Sequence, residues 1–160
     1  MKEALHSLLK KQGYNIVGDH SAVKICEWTK KSIRRQDFCY KQKFYGISSH
    51  LCCQCSVSVG FCQNMCIFCW REMEHTLGTE MKEWDSPESI VEGLIKGQKK
   101  QLSGFGGYEN ADKKKLKEAK EPKHFAISLT GDALIYPKLN ELIKILHKKG
   151  KTTFIVTNGM

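Results

Sequence analysis

Apolar positions recur along this chain at two periods, and the order in which those periods alternate predicts the fold. Residues 3–11 (EALHSLLKK) have the pattern of a short amphipathic helix, and residues 22–35 (AVKICEWTKKSIRR) that of a second, with Val23, Cys26 and Ile33 on its inner side. From Ser49 to Val59, β-branched and small residues predict a first strand that leads straight into a cysteine-bearing loop. Asp85-Ser86-Pro87-Glu88 is a helix start, with Ser86 as cap and Pro87 at the first helical position. Ile90, Leu94, Ile95 and Leu102 supply its apolar stripe, which ends at the Gly104–Gly107 breaker. A lysine-rich stretch follows. Then come a buried strand at His124–Thr130 (HFAISLT), a helix at Pro137–Lys149 with Leu139, Leu142, Ile143 and Leu146 on one face, and a third strand at Thr152–Thr157.

Strand, helix, strand, helix, strand is a parallel α/β order, because crossovers through helices impose right-handed βαβ units. Three parallel strands alone would expose an apolar edge, so the expectation is a fragment of a larger sheet, truncated after the third strand. The division expected is 1–48 as an N-terminal helical extension and 49–160 as the first half of the main fold. No internal repeat is visible, and the one low-complexity run is Lys113–Lys115.

Charge adds a class of partner. The chain of 160 residues carries 26 Lys+Arg against 17 Asp+Glu, a net +9, which favours polyanions and nucleic acid above all. The excess lies in 1–48 and 112–160, with ten and eleven basic groups, and flanks a central segment with five. Lys96, Lys99, Lys100, Lys113, Lys114, Lys115, Lys117, Lys120 and Lys123 form the expected phosphate track, although a solvated helix face explains any one of them equally well. The start MKEALHSLLKKQG is charged throughout, and no apolar run approaches membrane-spanning length. The expected setting is therefore a reducing cytoplasm, with the eight cysteines used for metal rather than disulfides.

Cys62-x-x-x-Cys66-x-x-Cys69 sets three thiolates on one loop after a strand. Three cysteines ligate three irons of a 4Fe-4S cubane and leave the fourth open to a non-protein ligand. S-adenosylmethionine can chelate such an iron through its amino and carboxylate groups. The spacing, with Phe68 just before the last cysteine, resembles the radical S-adenosylmethionine signature, which implies a partial (βα)6 barrel. A structural zinc site on Cys52-x-x-Cys55 and Cys66-x-x-Cys69 is the alternative. Downstream, Thr130-Gly131-Asp132 resembles the superfamily segment that receives the methionine amine, with Asp132-Ala133 where glutamate-proline is common. Thr157-Asn158 follows the third strand at the edge where open α/β folds bind ligands. Trp70 is placed to shield the cluster, and Arg71 to pair with phosphate or a carboxylate.

Cys26, Cys39 and Cys52 lie upstream at thirteen-residue intervals, able to converge on a second cluster from helix, loop and strand. With VKICEW, FCYKQKFYGI, FCWR, EPKHFAISLTGD and TTFIVTNG, the layout resembles the archaeal tRNA 4-demethylwyosine synthase family over nearly the whole chain. That resemblance implies condensation of pyruvate with N1-methylguanosine at position 37 of tRNA(Phe) by radical chemistry. It implies two 4Fe-4S clusters, S-adenosyl-L-methionine, an external low-potential electron donor and a monomer. It assigns Cys62, Cys66 and Cys69 to the radical cluster, Cys26, Cys39 and Cys52 to the auxiliary one, and Lys41 to pyruvate. Lys41 suits an imine, since Lys43 beside it is a like charge that favours the neutral amine. Contact with tRNA phosphate, or pyruvate chelation by an open iron, are the other readings. Cys53 and Cys55 remain as spare thiols, Cys55 able to line the site, while His50, His75 and His124 have no ligand spacing. A zinc-stabilised RNA-binding module and an inactive truncated synthase are the alternatives to an enzyme.

Overall fold

The computed structural model describes residues 3–69 and 73–160. Five strands form one sheet in the order β1-β2-β3-β4-β5: β1 at Asn15–Val17, β2 at Ser21–Val23, β3 at Cys52–Ser56, β4 at His124–Ile127 and β5 at Thr152–Ile155. The last three are parallel, with Gln54 opposite Ala126 and Ala126 opposite Phe154. Their crossovers run through α4 (Pro87–Leu102), α5 (Lys113–Ala119) and α6 (Leu139–Lys148). Ser86 caps α4 as its sequence requires, its hydroxyl accepting from the Ser89 amide at 3.2 Å.

The N-terminal region departs from the expected all-helical extension. After α1 (Glu3–Lys11), residues 15–23 form an antiparallel hairpin that turns at Gly18-Asp19-His20 and joins the sheet through Ala22 opposite Ser56 and Val23 opposite Cys55. The helix expected at 22–35 is therefore shorter, α2 at Glu27–Ile33, with Cys26 as its N-cap. Ser21, Ala22 and Val23 are all buried, so pairing on both sides overrides the helical spacing. The hairpin covers the β3 edge, which three parallel strands would have left open. A short helix, α3 (Tyr40–Tyr45), lies between α2 and β3 along the chain.

Alternation along each strand divides the sheet into two faces. Cys53, Cys55, Val57, Phe125 and Ile127 point toward α4 and α6 and pack with Ile90, Leu94, Leu142 and Leu146 in the main core. Cys52, Gln54, Ala126 and Phe154 share the opposite face. Close approach of α4 to the hairpin depends on Gly93 and Gly97, one helical turn apart: a Cβ on Gly93 would lie 2.3 Å from Val17 Cγ1, and one on Gly97 2.7 Å from Val23 Cγ1. Behind the hairpin turn, His20 Nε2 accepts from the Asp85 amide at 2.9 Å and Nδ1 donates to the Val57 carbonyl at 2.6 Å. Both bonds together define the neutral ring. Among the described residues, no helix is long and apolar enough to cross a membrane.

Candidate active site

Three cysteines and a lysine meet on the sheet face that the helices leave open. Cys26, Cys39, Cys52 and Lys41 line one cavity of about 50 Å³, floored by Gln54 and Ala126. Cys26 and Cys39 are the N-caps of α2 and α3, both extended in backbone and neither using its side chain to cap, so both sulfurs are free to face the cavity. Ser49 ties the walls together. Its hydroxyl accepts from the Cys39 amide at 2.9 Å and donates to Gln42 Oε1 at 3.0 Å, and its carbonyl accepts from the Thr29 hydroxyl at 3.0 Å. Burial, reinforced by Cys26, pushes the Cys52 thiol up to about 12, with the Lys41 charge opposing. Without a metal Cys52 is thus a neutral thiol near pH 7, and a bound cation would invert that preference. The ammonium of Lys41 rests 3.5 Å from the centroid of the Phe154 ring.

The second cysteine set occupies the loop beyond β3. Its base is fixed by backbone pairing, Leu77 to Gly60 at 2.8 Å and Cys62 to Gly78 at 3.1 Å, and a turn brings the Cys69 amide to the Cys66 carbonyl at 3.0 Å. Cys62 and Cys66 are half-buried and Cys69 is exposed. Phe68 stands 87% exposed, so its ring touches little of the fold and is available to a ligand. Trp70 and Arg71 lie outside the described residues.

Gly131 fits against this loop because it lacks a side chain. At φ 74° a Cβ there would come within 1.9 Å of the Ser58 carbonyl oxygen. The next residue holds three segments together. The Asp132 amide donates to the Phe61 carbonyl at 2.8 Å. The carboxylate accepts from the Leu134 amide at 2.9 Å, the Asn158 amide at 3.0 Å and the Thr157 hydroxyl at 2.9 and 3.0 Å. Asn158 in turn points its amide at the Cys62 sulfur, 3.9 Å away. The side chain expected to meet a cofactor ammonium is therefore turned inward, 2% exposed, its acceptors occupied by the protein's own donors. Thr130 contributes its carbonyl, which accepts from the Ser56 hydroxyl.

The zinc alternative fails on strand geometry. Cys52 faces the cavity, whereas Cys55, three residues on, is fully buried in the core on the other face, so the two cannot share one ion. The same parity removes Cys55 from the site it was expected to line. Among the described residues, no three Cys, His, Asp or Glu side chains close on a single metal ion. Both triads are all-thiol donor sets of the kind that suits a multi-iron cluster. His50 pairs with Glu118 at 2.8 Å and His124 with the Thr152 hydroxyl at 2.7 Å, which satisfies both. Ser49 lines the thiol cavity although no motif singled it out, and Gln42, bonded to Ser49, and Phe154, beneath Lys41, support its walls; the place of Phe154 on the face of Gln54 and Ala126 is visible only once the register is known.

No sequence profile of a protein family matches the chain. Individual proteins do. The S-adenosyl-L-methionine-dependent tRNA 4-demethylwyosine synthase of Pyrococcus abyssi is 55% identical over 160 residues, 99% of this chain and 47% of that protein. The chain matches the N-terminal half of this archaeal synthase. The Methanocaldococcus jannaschii synthase is 46% identical across 99% of this chain and 52% of its own length, and the mouse synthase TYW1 is 42% identical, with 22% of it covered. The chain thus spans about half the length of the archaeal synthases it matches. Two solved structures share the fold: TYW1 with a lysine-pyruvate adduct bound, at TM-score 0.89 and 46% identity over 99% of this chain and 52% of that one, and archaeal TYW1, at TM-score 0.81 and 43% identity, with 53% of that chain covered. The synthases' fold accounts for the mixed five-stranded sheet seen here.

Proposed function

We propose that this chain provides the pyruvate-binding and cluster-binding half of a tRNA 4-demethylwyosine synthase, a cytoplasmic radical S-adenosylmethionine enzyme built on a partial (βα)6 barrel. The observation that carries this reading is the single cavity lined by Cys26, Cys39, Cys52 and Lys41. A solved relative at 46% identity holds a lysine-pyruvate adduct, and Lys41 is the amine facing the thiols here.

Lys41 acts on pyruvate through its own nitrogen. The ammonium releases a proton to water, the neutral amine adds to the ketone carbon, and a proton returns as water leaves, so the protonated imine carries the one positive charge of the starting ammonium. Phe154 keeps that nitrogen above the sheet, beside the three thiols. Cys26, Cys39 and Cys52 would hold an auxiliary 4Fe-4S cluster, and Cys62, Cys66 and Cys69 the radical one. Bound there and reduced by an external low-potential donor, the latter supplies the electron that cleaves S-adenosyl-L-methionine. Gly131 lets its turn pack on the backbone of Ser58 and Phe61 that leads into the Cys62 loop, and Phe68, Thr130, Thr157 and Asn158 are the candidate cofactor contacts. In this reading Asp132 braces the Thr157-Asn158 turn. N1-methylguanosine of tRNA(Phe) is the acceptor of the pyruvate carbons.

Anaerobic reconstitution of the full-length protein tests the reading. About eight irons with matching sulfide, and a borohydride-reducible pyruvate adduct mapped to Lys41, are the expected results. Failure to produce 5′-deoxyadenosine with reductant and S-adenosylmethionine, or zinc in place of iron and sulfide, would refute it.

A further inference from the structure

A wider groove, about 780 Å³, runs between α1, β1 and the C-terminal half of α4, and Lys10, Lys24, Lys30 and Lys100 line it without a carboxylate among them. It shares Asn15, Ile16 and Lys100 with a hollow of about 440 Å³ that adds Lys96, and Asp85 at its far end. The Asp85 carboxylate accepts there from the Asp19 amide at 2.8 Å. Lys30 is paired with Glu27 at 3.3 Å. Lys10, Lys24, Lys96 and Lys100 form no ion pair among the described residues.

Two lysines of the track expected from the sequence, Lys96 and Lys100, line these hollows. Lys99 is paired with Glu121, and Lys115 donates to the Ser32 carbonyl at 3.1 Å. In the groove, Lys24 lies 4.9 Å from the centroid of the Tyr14 ring and Phe105 adds a second aromatic wall.

Position connects the groove to the chemistry. Lys24, Ile25 and Lys30 line it, while Cys26, Trp28 and Thr29 line the thiol cavity, so the start of α2 is a wall common to both.

We propose that this groove carries the sugar-phosphate backbone of the RNA substrate past the thiol cavity. The inference rests on the reading of the chain as a tRNA-modifying enzyme and adds the path of the nucleic acid. Lys10, Lys24 and Lys100 in the groove and Lys96 in the adjoining hollow repel each other until a polyanion enters, and each phosphate they neutralise releases counterions from the polyanion and steepens the salt dependence of binding. The rings of Tyr14 and Phe105 offer faces on which unpaired bases or riboses stack. An RNA strand supplies both partners at once.

The test uses the full-length reconstituted protein and an unmodified tRNA(Phe) transcript, with filter binding between about 50 and 200 mM salt. Lys10→Gln, Lys24→Gln, Lys96→Gln and Lys100→Gln combined should weaken binding roughly 30- to 100-fold near physiological salt and flatten the log-log salt slope by about 3. Lys144→Gln, Lys148→Gln, Lys149→Gln and Lys151→Gln combined remove the same charge elsewhere and should cost less than about threefold. An intact Lys41 pyruvate adduct in the groove variant shows that it is folded. Equal losses in the two variants, or none in the first, overturn the groove and leave the enzyme reading standing. Displacement of tRNA by micromolar inorganic phosphate also overturns it, in favour of a small-anion site. A wild-type protein that binds no tRNA removes the tRNA reading itself, and the groove proposal with it.

Discussion

The Thr157 hydroxyl sits between both carboxylate oxygens of Asp132, at 2.9 and 3.0 Å. Through that contact the residue after the Gly131 turn determines where the chain goes once β5 has ended. It brings Asn158 to the Cys62 sulfur and thereby links segments separated by 96 positions.

Asp132→Asn should be destabilising, because an amide N–H would then face the Asn158 or Leu134 amide. Hydrogen bonds to a buried charge contribute about 1.5–3 kcal/mol each, and a loss of about 3 kcal/mol is expected from urea unfolding of the metal-free protein. An unchanged midpoint would show that the brace is not formed.

The Lys41–Phe154 contact has a spectroscopic signature. Reductive ¹³C-methylation of the lysines should give, among the methyl resonances displaced by ring currents, one from Lys41 that moves back among the undisplaced ones in Phe154→Leu while the others stay. If no displaced resonance responds to that substitution, the lysine does not lie over the ring.

Cys52 gives a pH dependence of defined sign. Its folded value, about 12, lies above the ordinary 9.0, so the folded state holds the proton more tightly than the unfolded chain. The associated stability is fully present below about pH 9 and is lost as pH rises toward about 12, by roughly 1.4 kcal/mol per pH unit within that window. Unfolding of the metal-free protein between about pH 8 and 10.5 should therefore fall more steeply than that of Cys52→Ser. Parallel curves would place Cys52 in contact with water.

Gly93→Ala should cost about 1–3 kcal/mol, because overpacking against Val17 outweighs the gain of about 1 kcal/mol in helix propensity. Val17→Ala in the same chain removes the atom in the way, so the double variant should lose less than the sum of the two single ones. Additive thermal shifts would mean that α4 and the hairpin stand further apart.

Much of this arrangement was legible in the sequence, because the cues were local. Ser86-Pro87 marked the start of α4, the leucine spacing marked α6, and the cysteine loop followed the strand that carries it. The hairpin was not legible: three-residue strands have too few positions to show alternation, and Val23 with Cys26 and Ile33 fitted a helix until Ala22 and Val23 paired with β3. The inward turn of Asp132 was hidden for a related reason, since its partners Thr157 and Asn158 come from another strand end. That Cys52 and Cys55 could not share an ion was readable, because residues three apart on a strand face opposite ways.

That alternation also bears on the order of assembly. As a flexible polymer the segment Cys52-Cys53-Gln54-Cys55 offers three equivalent sulfurs within four residues. Only when β3 has paired with β2 and β4 are Cys53 and Cys55 withdrawn and Cys52 left facing Cys26 and Cys39. For the cluster proposed above, iron delivered before the sheet had formed would meet a choice the folded chain no longer offers, an arrangement that favours maturation after folding.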